Sequence, residues 1–454
     1  LEQVKGFVPN DAGERAYPGI DQKIYLRHKT TINQTLNLGI TAETDAGEYF
    51  FKENNRTGFD YYSGYAQYQG TKLLRNVILG DFQVKMGQGL IQWSGYGMRK
   101  SAETARVRYM GQGIRPYTST DENASLRGVA SHVRLGSIDL MAFYSNKRID
   151  ANVSAWDEAG KPSEVSSILA TGYHRTANEL ADEDVLREQL AGLSGRFTRN
   201  NFSAAVNANM LDYSLPFMPE DKPYNEFRFR GTSNYNLSTD WTYMFNKISF
   251  FGEAALSKSN GKALLAGIEA QPANEFSYTL LYRNYQRNFQ SIKGSAFSEG
   301  TTITNEQGIY SSFVLFPMPK VRISGYLDAY EFPWIKYTSA GPVRGTDMQL
   351  QINYRPIRRI EIYGRIKNER NAEKTGIAST IKGNTDQNTK KYRLNAQFNL
   401  NEHLTLKLRS EWSAYEKDDS LQTGLLLMGD VDTHFFEEKL GIQMRLAWYD
   451  TDGY

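Results

Sequence analysis

The chain has 454 residues, no cysteine and a formal net charge of +2. The lack of cysteine excludes a disulfide scaffold and a thiolate metal site, and the balanced charge gives no basic face for nucleic acid. Mean hydropathy is −0.56, yet the chain carries 29 Tyr, 23 Phe and 6 Trp, and no apolar run approaches the ~20 residues that a membrane helix needs.

The start, Leu1-Glu2-Gln3-Val4-Lys5, has neither the basic opening and apolar core of a signal peptide nor a cleavage site. The chain is therefore expected to begin inside a mature protein.

From residue 22 onward the dominant pattern is alternation with a period of two. In 404–414, Leu404, Leu406, Leu408, Trp412 and Ala414 share one face, and Thr405, Lys407, Arg409, Glu411 and Ser413 share the other. About twenty such segments follow one another: 22–31, 34–43, 59–69, 74–86, 126–135, 137–146, 190–199, 202–212, 233–246, 248–258, 262–271, 275–286, 307–316, 320–331, 346–355, 358–369, 390–400, 403–414, 421–429 and 438–449. Most reach the ~9–11 residues that a tilted membrane strand requires. Soluble strands average nearer ~5–6.

The connections alternate between tight and long. Ile32-Asn33, Gly136, Lys247, Pro356-Ile357 and Asn401-Glu402 are among the tight ones. The stretches 44–58, 87–125, 147–189, 213–232, 287–306, 332–345 and 370–389 are the long ones. Short turns on one side and long loops on the other is the arrangement of an outer-membrane barrel. The expected fold is all-β: a transmembrane antiparallel β-barrel in a single domain over 1–454, located in the bacterial outer membrane.

The first visible connection lies on the short side and the last strand ends on the long side, whereas a single-chain bacterial barrel has an even strand number with both ends periplasmic. This predicts at least 22 strands in the intact protein, with a strand wanting at each end.

One stretch departs from the pattern. Residues 176–189 read as a short amphipathic helix in the longest loop, with Thr176 and Glu179 placed as a capping box.

Four clusters of residues are similar to a known family. The first is Leu79-Gly80-Asp81-Phe82-Gln83-Val84-Lys85-Met86-Gly87-Gln88-Gly89-Leu90 with Trp93-Ser94-Gly95 and Lys100-Ser101. The second is Gly113-Ile114-Arg115-Pro116-Tyr117 with Glu122-Asn123. The third is Ala142-Phe143-Tyr144-Ser145 with Lys147-Arg148-Ile149-Asp150-Ala151-Asn152. The fourth is Gly172-Tyr173-His174-Arg175-Thr176 with Glu179-Leu180. Together, from about residue 22 to the end, they resemble a family of large outer-membrane β-barrel proteins of the Bacteroidota. Its members are generally described only for a helix-hairpin-helix segment that precedes the barrel. The resemblance implies fold and location. It carries no activity, because the family has none that is settled.

The candidate motifs are few. His28, His132, His174, His403 and His434 have no second His or carboxylate at metal-ligand spacing in the sequence, so neither a metal site nor a cofactor is expected. His174, in a long loop, is the one handle for surface catalysis, and its plainer reading is as a brace for the loop helix. Gly87-Gln88-Gly89 and Gly111-Gln112-Gly113 lack the Lys-Ser/Thr of a phosphate loop. They are expected to supply positive φ or close backbone approach where a loop bends into the barrel. Charges of both signs fall on the polar faces of strands: Glu43, Arg134, Glu253, Glu269, Arg283, Glu361, Arg365, Lys367, Lys407, Arg409 and Glu411. Mixed signs on an interior wall, in so wide a barrel, point to a filled lumen. Tyr61, Tyr62, Tyr65, Tyr68, Tyr310, Tyr326, Tyr330, Trp412 and Trp448 are candidates for the interfacial girdles.

Three functional readings follow. The preferred one, on barrel size and interior charge, is a non-enzymatic subunit of an outer-membrane assembly, secretion or export complex. The alternative is a channel or gated transporter for a nutrient, and a surface enzyme is the remote third. The expected partners are outer-membrane lipid and lipopolysaccharide and other outer-membrane or periplasmic proteins, and no nucleic acid.

Overall fold

The computed structural model describes residues 5–95, 97, 100, 107–375, 383–418, 420–435 and 439–452. Ser101 and the terminal Gly453-Tyr454 fall outside these. Twenty-three strands form one sheet. They are β1 (Ile24–Ile32), β2 (Leu36–Thr44), β3 (Tyr61–Gln69), β4 (Leu74–Lys85), β5 (Gly113–Pro116), β6 (Leu126–Leu135), β7 (Ile138–Ile149) and β8 (Ala151–Trp156). Next come β9 (Pro162–Ile168), β10 (Leu186–Arg199), β11 (Phe202–Phe217), β12 (Gly231–Phe245), β13 (Ile248–Ser257), β14 (Lys262–Ala273), β15 (Phe276–Tyr285) and β16 (Glu306–Met318). The last are β17 (Val321–Phe332), β18 (Val343–Ile357), β19 (Ile360–Lys374), β20 (Asn384–Asn399), β21 (Leu404–Lys417), β22 (Ser420–Phe435) and β23 (Leu440–Thr451).

Each of the twenty alternating segments lies on one long strand, and consecutive long strands pair antiparallel from β1 to β23. The three remaining strands belong to the long loops. β5 pairs with the end of β4. The β8–β9 hairpin touches the main ladder where Val165 meets Phe217 in parallel. Among the described residues, β1 pairs only with β2 and β23 only with β22.

The physical cause of the long ladder is the two-faced sequence. On one face stand Ile40, Leu79, Leu193, Val206, Ile309, Leu327, Ile352, Leu394 and Leu446, all exposed. A continuous apolar surface of this extent is not tolerated in water. The opposite face carries the polar residues and is covered from within. Asparagines close several tight turns because they accept positive φ at low cost, as at Asn200 (50°) and Asn246 (52°). An apolar outer belt, short turns at one rim and long loops at the other make the chain an integral β-barrel of the outer-membrane type. No helix of the described residues is long and apolar enough to cross a membrane.

The structure also corrects the sequence reading. The loop helix is α1 (Ala177–Ala181), with the capping box of Thr176 and Glu179 in place. It does not continue to residue 189: Asp184 takes a φ of 54°, and from Leu186 the chain is strand. There the alternation of Leu186, Glu188 and Leu190 into the interior outweighs helical propensity. β22 likewise runs on to Phe435, well past the expected turn at 430. Of the girdle candidates, Tyr62, Tyr68, Trp412 and Trp448 face outward, whereas Tyr61, Tyr65, Tyr310, Tyr326 and Tyr330 are buried inside. Parity along the strand decides between the two faces, and an aromatic side chain suits either.

Candidate functional site

The interior is filled by the protein's own loops. After β4 the chain turns inward at Gly87-Gln88-Gly89, with φ of 51° and 87° at the two glycines. A Cβ at Gly87 would lie 2.7 Å from Glu253 Oε2, and one at Gly89 would lie 2.9 Å from the Ser295 carbonyl. The glycines therefore allow the close approach that the motif suggested. Glu253 on β13 is fully buried, and its Oε2 accepts the backbone N–H groups of Gln88 (2.7 Å) and Leu90 (3.1 Å). The Gln88 side chain bonds both backbone groups of Tyr109, at 2.8 and 3.0 Å. From β11, Asn209 donates to the Ile91 carbonyl at 2.8 Å.

A second loop, 286–305, meets the first. Trp93 N–H donates to the Lys293 carbonyl and Ser295 N–H to the Gly89 carbonyl, at 2.8 and 2.9 Å. Lys293 reaches β10 through Glu188 at 2.6 Å. Leu90, Ile91, Phe289, Phe297 and Ile303 of the two loops pack with Phe251, Leu265, Leu281 and Tyr310 of the wall. Together these residues form an apolar plug seated on polar anchors.

Beside the plug lies a buried ionic network. Arg283 on β15 donates to Glu306 (2.5 Å) and, through both terminal nitrogens, to Asp328 (2.7 and 3.0 Å). All three side chains are fully buried. Glu306 also accepts the N–H groups of Glu299 (2.7 Å) and Gly300 (2.8 Å), which ties loop 286–305 to the wall. Lys100 pairs with Glu299, with Asp328 at 2.9 Å and with Asp347 at 3.3 Å. Buried charges persist only when paired and hydrogen-bonded, and here the pairing fastens both loops.

The other lumen-face charges are on the expected wall. Glu43 pairs with Lys23, Arg134 with Asp139 at 2.7 Å, Arg108 with Glu269 at 3.0 Å and Arg393 with Glu411 at 2.5 Å. Arg365 donates to Gln351 at 2.7 Å. Lys407 lies opposite Asp430 in the β21–β22 register, and Arg409 opposite Met428. Over β19–β22 this wall is half-buried, β23 is exposed throughout, and over β11–β17 the wall is packed under the loops.

At the outer mouth four loop segments meet on His174. Its Nδ1 lies 2.6 Å from Asp60 Oδ2, and its backbone N–H donates to Glu48 Oε1 at 3.0 Å. Its Nε2 lies 3.2 Å from Asp150 Oδ2, off the line that a hydrogen bond needs. Glu122 completes the group, and a cavity of about 390 Å³ opens among Asp60, Glu122, Lys147, Asp150 and His174. Burial opposes a charge on His174, but the carboxylates of Asp150 and Asp60 override it and push the imidazole up to about 11. Burial and the charge of Asp60 push Glu48 up to about 7 and Glu122 up to about 9. Beside this group the Arg175 guanidinium stacks on Tyr173 (3.8 Å) and Tyr17 (4.7 Å) and pairs with Glu179 at 2.9 Å. Arg115 and Pro116 sit on β5, and Tyr117 is buried with its hydroxyl donating to the Asp121 carbonyl.

His174 thus joins the segments that carry Glu48, Asp60 and Asp150. Glu48, Asp60, Glu122 and Asp150 are far from it in sequence, so no spacing rule could assemble them. The hint available was that Glu122, Asp150 and His174 each stand in one of the four residue clusters that carry the family resemblance. The plug anchors Glu253 and Arg283 were legible as interior charges, although their partners were not.

No family model and no curated protein matches the chain. Among solved structures it is similar to OpdK of Pseudomonas aeruginosa crystallised with vanillate, at 8% identity over 94% of this chain and 97% of that one, TM-score 0.35. It is also similar to OccAB3 of Acinetobacter baumannii, at 9% identity over 94% and 97%, TM-score 0.35. A third likeness is OmpT of Vibrio cholerae, at 9% identity over 70% and 89%, TM-score 0.33. The architecture described above rests on the strand pairing itself.

Proposed function

We propose that the chain is a gated conduit of the outer membrane, closed at rest by its own loop segments 86–95 and 107–112 together with loop 286–305. The observation that carries this reading is the seat of the plug. A fully buried carboxylate, Glu253, holds two backbone N–H groups of a glycine turn that has entered the lumen. A diffusion pore needs an unobstructed lumen. A barrel that commits buried ion pairs to holding loops across its interior is built to open only when something draws them out.

Planar-bilayer recording of the purified full-length protein tests this. The expected result is a silent wild type, with brief openings in Glu253→Ala. A steady ohmic conductance from the wild type would refute the gated reading.

The same loop-filled interior under β11–β17 is also compatible with a subunit of an assembly, secretion or export complex, with a partner supplying the trigger. Mild-detergent co-purification from native membranes separates the two. Stoichiometric outer-membrane or periplasmic partners favour the complex, and a lone barrel favours the self-contained conduit.

A further inference from the structure

The carboxylates around His174 are not equivalent, and their hydrogen bonds sort them. Asp60 is saturated, with Oδ1 accepting from Asn55 at 2.8 Å and Oδ2 facing His174 Nδ1 at 2.6 Å. Glu48 is saturated as well, holding the N–H groups of His174 (3.0 Å) and Asp45 (2.7 Å). Asp150 uses Oδ1 on the Asp184 N–H at 2.9 Å, and its Oδ2 faces only His174 Nε2, at 3.2 Å, among the described residues. Nothing among the described residues donates to the Glu122 carboxylate either. The neighbouring cations are committed elsewhere: Lys147 to the Glu122 carbonyl and Ser125, Arg148 to the Asp184 carbonyl and Arg127 to Asp81 and the Tyr62 carbonyl.

The independent observation is on the histidine itself. His174 is only 5% exposed, yet its Nε2 has no hydrogen-bond partner. That nitrogen, a Glu122 oxygen and an Asp150 oxygen all lie within 4.8 Å of one another. A buried imidazole with one nitrogen held by a carboxylate and the other beside a second carboxylate, 3.2 Å away but without hydrogen-bond geometry, is the arrangement of a metal-ligating histidine, whose second-shell carboxylate fixes tautomer and ring direction.

We propose that His174 Nε2, Asp150 and Glu122 are the protein ligands of a divalent transition-metal ion, with Asp60 as the carboxylate behind the imidazole. The donor set of one imidazole and two carboxylates suits Zn²⁺, Mn²⁺ or Co²⁺ better than Ca²⁺, which prefers six or more oxygens. Two carboxylates balance the 2+ charge, and the cavity leaves room for water as the remaining ligands. Coordination at about 2.1 Å would bring the ligand atoms to about 3–3.5 Å from one another, a closure of roughly an ångström by side-chain rotation. The ion would join the turn at Glu122, the end of β7 and the segment around His174 at the outer mouth.

The probe is Co²⁺ titrated into chelator-treated full-length protein in detergent, followed by the visible ligand-field bands and by calorimetry. One equivalent should bind with a visible signature of nitrogen ligation. His174→Ala should abolish it, but that variant also removes a brace. Glu122→Gln is therefore the decisive change, because its carboxylate holds no hydrogen bond that the fold needs. With circular dichroism unchanged, Glu122→Gln should weaken binding at least tenfold. Asp150→Asn should do likewise, and Zn²⁺ should displace Co²⁺. Absence of a site in the wild type, or wild-type affinity in a folded Glu122→Gln, overturns the assignment.

Discussion

Glu253 offers the sharpest quantitative test of how the lumen is closed. Among the described residues its Oε2 is the one acceptor of the buried N–H groups of Gln88 and Leu90, so Glu253→Ala leaves two buried donors unsatisfied. Each such orphan costs about 1–3 kcal/mol. The seated plug should therefore lose about 2–6 kcal/mol relative to the withdrawn one. At about 1.4 kcal/mol per factor of ten, the population of the withdrawn state rises roughly 30-fold at the low end and roughly 700-fold at the middle of that range. The barrel itself should hold, because the ladders of β13 with β12 and β14 do not depend on this side chain. Glu253→Gln keeps a carbonyl acceptor of the same length, so it should cost less, about 1–2 kcal/mol. The assay is amide hydrogen exchange with mass spectrometry on peptides covering 86–95, with peptides from β13 as the internal standard. Protection of 86–95 should fall steeply in Glu253→Ala, modestly in Glu253→Gln, and not at all in β13. Equal protection of 86–95 in wild type and Glu253→Ala would refute the view that this carboxylate seats the plug.

Further predictions follow from the same geometry. Arg283→Met removes the cation shared by Glu306 and Asp328 and leaves two buried carboxylates facing each other. It should destabilise by about 3–5 kcal/mol, and heat-induced loss of the folded, fast-migrating band in gels should begin at a markedly lower temperature. Gly89→Ala puts a Cβ at positive φ and 2.9 Å from the Ser295 carbonyl. Loop 286–305 should then gain protease sensitivity while the long strands stay resistant. Thr176→Ala removes the cap of α1 and should cost that segment about 1 kcal/mol, seen as faster exchange over 177–181 only. Burial works to raise Glu179, but its bonds to Arg175 and the cap hold it below the usual 4.5. A folded-state value below the unfolded one gives stability that is present above pH 4.5 and lost as pH falls through the lowered value. Acidification from pH 6 to pH 3 should therefore fray α1 and leave the exchange of β10 unchanged.

Much of the barrel is decided by the chain alone. A period of two is a local property, so each long strand, from β1 to β23, announces itself in ten residues or so. The order of tight and long connections then assigns the two rims. The face of each strand follows from the same alternation, which is why the sequence alone places Glu253, Arg283, Arg365 and Glu411 inside. The capping box of Thr176 and Glu179 is equally local, spanning four residues, and the glycines at 87 and 89 advertise a backbone that other residues resist. What the chain could not decide alone is wherever two local preferences compete or distant segments meet. The end of α1 depends on Leu186 and Leu190 finding an apolar interior. Tyr310 and Tyr330 look like girdle residues until the strand parity is fixed by the whole sheet. The pairing of Glu253 with Gln88 spans 165 residues, and that of His174 with Glu48 spans 126. These contacts exist because the course of the sheet brings loops from different hairpins into one mouth and one lumen. Only the tertiary structure therefore decides that an interior glutamate is a plug seat and that an isolated loop histidine stands among four carboxylates.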